Sequence, residues 1–383
     1  MAVDRVLPSA DAHDLLELTR ELADKELRPK AAEYEDRHEF PRELFRTLGR
    51  SGLLGLPYPE EYGGAGQPYE VYLHVLEELA QAWLAVALGV SVHGLACHAA
   101  AMFGTEEQKA RYLPELLGGE LLGAYCLSEP ESGSDAASLR TRAEKAADGS
   151  AYTLTGTKAW VSHAGVADFY TVMARTGGEG PKGISTFLVP AGTDGVCPQP
   201  PEQKMGLYAS PTGQVVLDGV RVPAERRIGV EGEGFTIAMS ALDGGRLGIA
   251  ACAVGVAQAA LDHAVAYARE RRQFGQPIIE FQGVGFLLAD MATQVAAARA
   301  LYLEAARLRD ARLPYSDRAA MAKLFCTDTA MRVTTDAVQV LGGAGYVEDH
   351  PVERYFREAK VLEIVEGTNQ VQRLVISRTL SRR

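Results

Sequence analysis

The sequence predicts a mainly α chain with a β domain set in its middle, and three observations predict it. Residues 1–122 place apolar side chains at i, i+3 and i+4, the period of an N-terminal all-helical domain. Residues 123–229 switch to alternating β-branched and aromatic segments cut by Gly, Pro and Asp turns. From 230 to 383, long Ala-rich helical patterns return with short polar or Gly/Pro connectors, as in an antiparallel four-helix bundle.

In the first region "LLELTRELADKEL" and "ELFRTLGRSGLLGL" keep the helical period, and "PYPEEYGGAGQP" breaks it. The stretch Gln81 to Thr105, "QAWLAVALGVSVHGLACHAAAMFGT", contains no Asp, Glu, Lys or Arg and has the length to cross a bilayer. His93, His98, Gly89 and Gly94, with no basic cluster flanking them, fit a helix buried in a bundle better, so no membrane span is expected. In the middle, "YTLTGTKAWVS", "FYTVMAR", "ISTFLVPA" and "GQVVLDGVRVP" read as strands of a barrel-like β domain. The last region divides into helices over Gly234–Arg271, Gln282–Asp310, Asp317–Leu341 and Pro351–Leu380. No internal repeat or low-complexity segment suggests a solenoid or a disordered tail.

Composition narrows the function classes. Hydrophobic residues at 47% and charged residues at 23% are globular, and a formal net charge of -11 gives no general attraction to phosphate backbones, so nucleic acid is not an expected partner. The five cysteines, Cys97, Cys126, Cys197, Cys252 and Cys326, are widely spaced and form no C-x-x-C pair, which argues against zinc and for reduced thiols in a cytoplasmic setting. "MAVDRVLPSADAHDLLELTRELADKEL" lacks the basic start and apolar core of a secretory signal.

Several short stretches hold residue types that do chemistry. Glu366 in "IVEGTNQVQR" follows Ile364 and Val365 and precedes Gly367; a carboxylate buried there without a cation has a raised pKa, as a general base for a weak carbon acid needs. A solvated Glu near a helix start has the same local sequence. "YCLSEPESGSDAAS" gathers Ser128, Ser132, Gly133, Ser134 and Asp135 into a loop able to hold a phosphate or the edge of a heteroaromatic ring, and equally able to be a surface turn. In "KAWVSHAG", strand alternation puts Trp160 and Ser162 on one face, suited to a flat cofactor or to a core Trp. In "LDGGRLGIAA", Asp243 and Arg246 stand three apart, either an i, i+3 ion pair or a ligand clamp. "RERRQFGQPI" concentrates Arg269, Arg271 and Arg272 before Phe274 at a helix C-terminus, where cations are favoured and where Arg can fork onto a pyrophosphate. The Gly342, Gly343 and Gly345 run follows a helix, so it is not a dinucleotide fingerprint.

Taken in order, these stretches resemble the acyl-CoA dehydrogenase family over essentially the whole chain. "CLSEPESGSDAAS" matches one family signature without a gap, and "QVLGGAGYVEDHPVERYFREAK" running into "EIVEGTNQVQR" matches the other. The resemblance implies FAD between the β domain and the bundle, with Tyr125, Leu127, Ser128, Gly133 and Ser134 on flavin or pyrophosphate and Trp160 and Ser162 beside the isoalloxazine ring. It assigns Arg271, Gln273, Phe274, Gln282 and the run Gln339 to Gly343, including Gly342 and Gly343, to the adenine dinucleotide portion across a subunit interface, hence a homotetramer built as a dimer of dimers. Thr368 and Gln370 match further FAD contacts, and Ser134, Asp243, Arg246 and Gly367 match positions lining the CoA thioester.

Glu366 matches the family's catalytic base. The implied reaction is removal of the α-proton of an acyl-CoA by Glu366 with transfer of the β-hydride to FAD N5, giving the trans-2-enoyl-CoA. The thioester oxygen is assigned to the Glu366 backbone N–H and a ribityl hydroxyl, and the electrons to electron-transfer flavoprotein. Fatty acid β-oxidation or branched-chain amino acid catabolism is the implied setting. Two departures refine this. Val365 stands where the family often has Tyr, which removes an aromatic wall and is expected to admit a branched or bulkier acyl chain, and Gly245 stands where isovaleryl-type members carry their base, so the chain does not resemble that subgroup. An oxidase using oxygen, or a dehydrogenase acting on a carrier-protein thioester, shares these motifs; a non-catalytic helical binding protein is disfavoured by the retention of Glu366, Ser134, Trp160 and Arg246.

Overall fold

The computed structural model describes residue 3 and residues 5–381. The first region holds α1 (Ala10–Leu22), prolonged by a π turn (Ala23–Leu27), then α2 (Ala31–Arg37), α3 (Arg42–Arg50), α4 (Tyr69–Ala82), α5 (Leu84–Phe103) and α6 (Glu106–Leu117). Local chemistry starts two of them. Ser9 caps α1 by accepting from the Ala12 N–H, and Thr105 with Gln108 forms a reciprocal capping box on α6. Pro41 and Pro68 immediately precede α3 and α4, where a missing N–H costs nothing.

Eight strands follow: β1 (Gly123–Cys126), β2 (Arg142–Lys145), β3 (Ala151–Ser162), β4 (Phe169–Arg175), β5 (Ile184–Pro190), β6 (Val196–Pro198), β7 (Thr212–Pro223) and β8 (Arg227–Ile228). They form one sheet in the order β6-β7-β3-β2-β4-β5-β8, with β1 added parallel to β4. The longest pairing, β3 with β7, is antiparallel from Ala151 opposite Pro223 to Ser162 opposite Thr212, and its register shifts twice. Tyr152, Leu154, Tyr170, Val172, Phe187 and Val215 fill a core belonging to this sheet.

The last region holds α7 (Gly234–Glu270), a short hairpin of β9 (Arg272–Gln273) and β10 (Gln276–Pro277), α8 (Gln282–Asp310), α9 (Ser316–Leu341), α10 (Val352–Leu362) and α11 (Asn369–Leu380). The expected single helix over Pro351–Leu380 is therefore two. α10 ends at Leu362, and the chain turns through 363–365. Glu366 and Gly367 take left-handed backbone angles, φ 52° and 89°, which prevent the helix from resuming, and Thr368 then caps α11 by accepting from the Val371 N–H at 3.3 Å. Gly244 lies beside Arg309, Gly245 beside Glu366 and His263 beside His350, so α8 and α10 run antiparallel to α7. The N-terminal helices and this bundle share one apolar core, with Leu73 and Leu76 of α4 and Leu247 and Ile249 of α7 among its members.

Among the described residues, three helices are long and apolar enough to cross a membrane. Over their most apolar windows α5 is 94% and α7 72% buried in the protein's own interior, whereas α8 is 22% buried.

Candidate active site

The break between α10 and α11 presents Glu366. Its left-handed backbone turns the side chain back toward α7, where the carboxylate lies against Gly245; a Cβ added at Gly245 would overlap Glu366 Oε2. Both carboxylate oxygens are buried and accept no hydrogen bond from the described residues. Burial pushes this carboxyl up to about 8, against the downward pull of Lys323 and Arg246. Lys323 acts on the turn more than on the acid. Its Nζ donates to the Gly367 carbonyl at 3.1 Å and to Asn369 Oδ1 at 2.9 Å, and the Gln372 amide adds a 2.7 Å bond to the same Gly367 carbonyl.

Next to Gly245 a narrow pocket opens between α4, α5 and α7, with Tyr58, Tyr69, Tyr72, Ser91, His98 and Arg309 among its lining residues. Sequence reasoning missed all six. The available signal was Tyr69 and Tyr72 at i, i+3 on α4, a spacing that reads equally well as core.

On the β side, Tyr125 at the end of β1 donates to the Ala238 carbonyl of α7 at 3.4 Å, and burial with Glu366 nearby keeps its phenol well above the usual range. Leu127 packs with Met173, Ile184 and Ala238, which ties the Ser/Gly loop to the start of α7. Ser128 accepts the Ala159 N–H at 2.9 Å, one residue before Trp160. Gly133 and Ser134 are exposed, and nothing lies within 4 Å of where a Gly133 Cβ would stand. Trp160 is 65% exposed, so it is no core residue. The expected alternation of Trp160 and Ser162 along a regular strand does not hold. A bulge between Lys158 and Val161 puts Trp160 at φ 59°, so a backbone irregularity, with no strict two-residue period, aims the indole.

A second feature unseen in the sequence supports that loop. Lys158 and Glu129 form a buried ion pair at 2.8 Å; Glu129 also accepts the N–H groups of Arg140 and Thr141, and Lys158 donates to the Leu127 carbonyl at 3.1 Å. These bonds tie the Glu129 carboxylate and the Lys158 ammonium to three segments of backbone, which fixes the loop's path.

Asp243 and Arg246 do form the i, i+3 ion pair, at 2.5 Å, and Asp243 also accepts the Ser316 hydroxyl; Arg246 Nε stays buried without a partner. Gln370 is exposed beside Thr368 on the first turn of α11. The remaining predicted residues are not brought to Glu366 in one chain. Arg271, Gln273, Phe274, Gln282, Gln339, Gly342 and Gly343 all lie exposed around the far ends of α7 and α9 and the start of α8. Gly245 and Glu270 are separated by roughly 37 Å of helix at 1.5 Å per residue.

Profiles described as the N-terminal, middle and C-terminal domains of acyl-CoA dehydrogenase match residues 9–120, 124–220 and 232–381. The chain belongs to the acyl-CoA dehydrogenase family. It is 44% identical over 363 residues to a short-chain specific acyl-CoA dehydrogenase of Clostridium acetobutylicum, covering 94% of this chain and 95% of that protein. Among solved structures it resembles butyryl-CoA dehydrogenase from Megasphaera elsdenii, with TM-score 0.96, 42% identity and coverage of 99% and 100%. It also resembles a chain from a structure of the electron transferring flavoprotein of Acidaminococcus fermentans, with TM-score 0.96, 43% identity and full coverage of both chains. As a member of the acyl-CoA dehydrogenase family this protein is an oxidoreductase.

The residues fit FAD. An exposed indole, a fixed loop with open glycine and hydroxyl positions, and a buried carboxylate without a protein partner offer a flat stacking face, anion donors and a base.

Proposed function

We propose that this acyl-CoA dehydrogenase converts a short-chain acyl-CoA to its trans-2-enoyl-CoA, with Glu366 as the base that takes the α-proton. The observation that supports it most is the Glu366 carboxyl, buried beside a pocket with both oxygens unpartnered and its pKa pushed up to about 8. An ordinary carboxylate is too weak a base for a thioester α-proton; one raised toward the working pH is better matched. Water is kept from it by the pocket walls, so the charge it holds before reaction is poorly solvated and reactive. The Glu366 backbone N–H donates to no acceptor among the described residues, which leaves it for the thioester oxygen.

Tyr125, Leu127, Ser128, Gly133, Ser134, Trp160, Ser162, Thr368 and Gln370 would hold FAD, which when bound would supply the acceptor for the β-hydride. Arg246, with Asp243, Ser134 and Gly367, lines the approach of the thioester. Arg271, Gln273, Phe274, Gln282, Gln339, Gly342 and Gly343 serve the dinucleotide of a neighbouring subunit. Their exposure at the far end of the bundle, with Phe274 95% exposed and Phe286 nearby 67% exposed, supports a contact with a further copy of the chain, which the proposed homotetramer would supply. The likeness to a chain solved with an electron transferring flavoprotein supports such a protein as electron acceptor. Five unpaired cysteines, four of them buried, support a reducing cytoplasmic setting.

Anaerobic titration of the FAD-loaded protein tests this. Butyryl-CoA is expected to bleach the flavin band fully and octanoyl-CoA poorly, with isobutyryl- and 2-methylbutyryl-CoA reporting whether Val365 admits a branch. A FAD-loaded protein that no acyl-CoA bleaches would overturn the proposal.

A further inference from the structure

The pocket beside Glu366 is polar for a site meant to take a plain hydrocarbon chain. Some of its polar groups are already committed: Tyr58 donates to the Gly94 carbonyl at 2.6 Å, Tyr69 to the Gly244 carbonyl at 2.9 Å, and His98 Nε2 lies 3.0 Å from Ser240 Oγ. Arg309 is not. Its guanidinium carbon stacks 3.3 Å from the centroid of the Tyr69 ring, and its Nη1 is buried without a hydrogen-bond partner among the described residues. The acids close to it are taken. Asp310 accepts the N–H groups of Tyr69 and Glu70 at 2.8 and 3.1 Å, and Asp243 is held by Arg246 and Ser316.

A guanidinium cation kept in a pocket without a counter-charge favours a ligand that brings one, and its planar fork matches a carboxylate. The position is as telling as the charge. Arg309 Nη1 lies 3.4 Å from where a Cβ on Gly244 would stand, and the Glu366 carboxylate lies against the next residue, Gly245. Gly244, Gly245 and Arg309 all line this pocket, so the cation stands in its wall and the base lies against the adjoining residue of the same wall.

We infer that this pocket selects a short acyl thioester with a carboxylate at the far end of its acyl chain, Arg309 receiving that carboxylate while Glu366 addresses the α-carbon. The inference rests on the dehydrogenation proposed above and names its substrate class. Tyr69 acts as a positioning residue, because its ring holds the guanidinium flat and its own hydroxyl is fixed to the backbone of α7.

The test uses the FAD-loaded full chain and compares kcat/KM for succinyl-, glutaryl- and adipyl-CoA with that for butyryl-, pentanoyl- and hexanoyl-CoA. At least one dicarboxylic thioester is expected to exceed its alkyl counterpart by about tenfold or more. Arg309→Met is expected to bring that ratio to one or below, through KM more than kcat, and Arg309→Lys to keep part of it. Because losing a buried guanidinium can impair folding, flavin content is measured for each variant, and the wild-type ratio decides if Arg309→Met does not fold. Alkyl thioesters preferred at every length would overturn the inference and leave the dehydrogenation standing. A dicarboxylate preference unchanged in a folded Arg309→Met would also overturn it. Flavin that no thioester bleaches would remove both.

Discussion

Two carboxylates buried in the helical part of this molecule have opposite surroundings. Glu77, in the middle of α4, accepts from Arg5 at 3.0 Å, from Arg299 at 2.8 Å and from the Tyr302 hydroxyl. Burial pushes its pKa up, but Arg5 and Arg299 outweigh burial and bring it down to about 2. Glu366 has no hydrogen-bond partner on either oxygen among the described residues, and burial pushes its pKa up to about 8. Burial is common to both, so burial does not decide what a buried acid does. Glu77 joins α4, α8 and the start of the chain through matched charges, and Glu366 is kept unmatched, with its cations Lys323 and Arg246 engaged elsewhere.

Neutralising each acid in turn is the strongest way to break the comparison. Glu366→Gln is expected to lower the rate of flavin reduction by about 10⁴-fold without lowering urea stability at neutral pH, since an amide there removes no hydrogen bond and escapes the ionisation penalty of the buried carboxyl. Glu77→Gln is expected to cost about 3–5 kcal/mol of stability by leaving Arg299 without its carboxylate and Arg5 with Glu78 alone, while each folded molecule still bleaches normally. Substantial turnover in Glu366→Gln, or wild-type stability in Glu77→Gln, would show that the two roles are misassigned.

Gly245→Ala sharpens the same contrast from the steric side. The added methyl meets the Glu366 carboxylate, so flavin reduction should fall about 10²-fold while the flavin band and the Glu77 network are kept. An alanine variant as fast as wild type would mean that the base sits elsewhere during reaction.

The smallest effect is on pH dependence, where the two acids should have opposite signs. The Glu77 pKa is depressed below its unfolded value of 4.5, so its stabilising contribution is full above pH 4.5 and is lost as pH falls through about 2. The Glu366 pKa is raised, so its contribution is full below pH 4.5 and is lost as pH rises through about 8; over that rise the base becomes ionised and kcat/KM should climb. Subtracting each Gln variant's stability from wild type across pH isolates the two curves. Parallel slopes would contradict the assignment.

Much of the site could be read in the sequence because its evidence is local. Glu366 between an apolar pair and a glycine, the Ser/Gly loop after β1, and the Asp243 and Arg246 spacing are each visible within a few residues. The bulge at Trp160 was not, since a register shift depends on β7 as much as on β3. Nor was the division of the last helix, whose left-handed Glu366 is non-glycine and whose following carbonyl, that of Gly367, is held by Lys323 of another helix. Arg309 was hidden for the same reason: in sequence it ends an ordinary helix, and only the approach of α4 and α7 makes it a pocket residue.

By itself, then, the sequence determined the succession of helical, β and helical regions, the family motifs and the residue types available for chemistry, because periodicity and turn preference act over a few neighbouring residues. Which acid is paired and which is left reactive was decided by the tertiary structure. Desolvation and charge pairing depend on groups brought together from afar: Glu77 meets Tyr302 across 225 residues of chain, while Glu366 meets Gly245, a residue with no side chain to answer it.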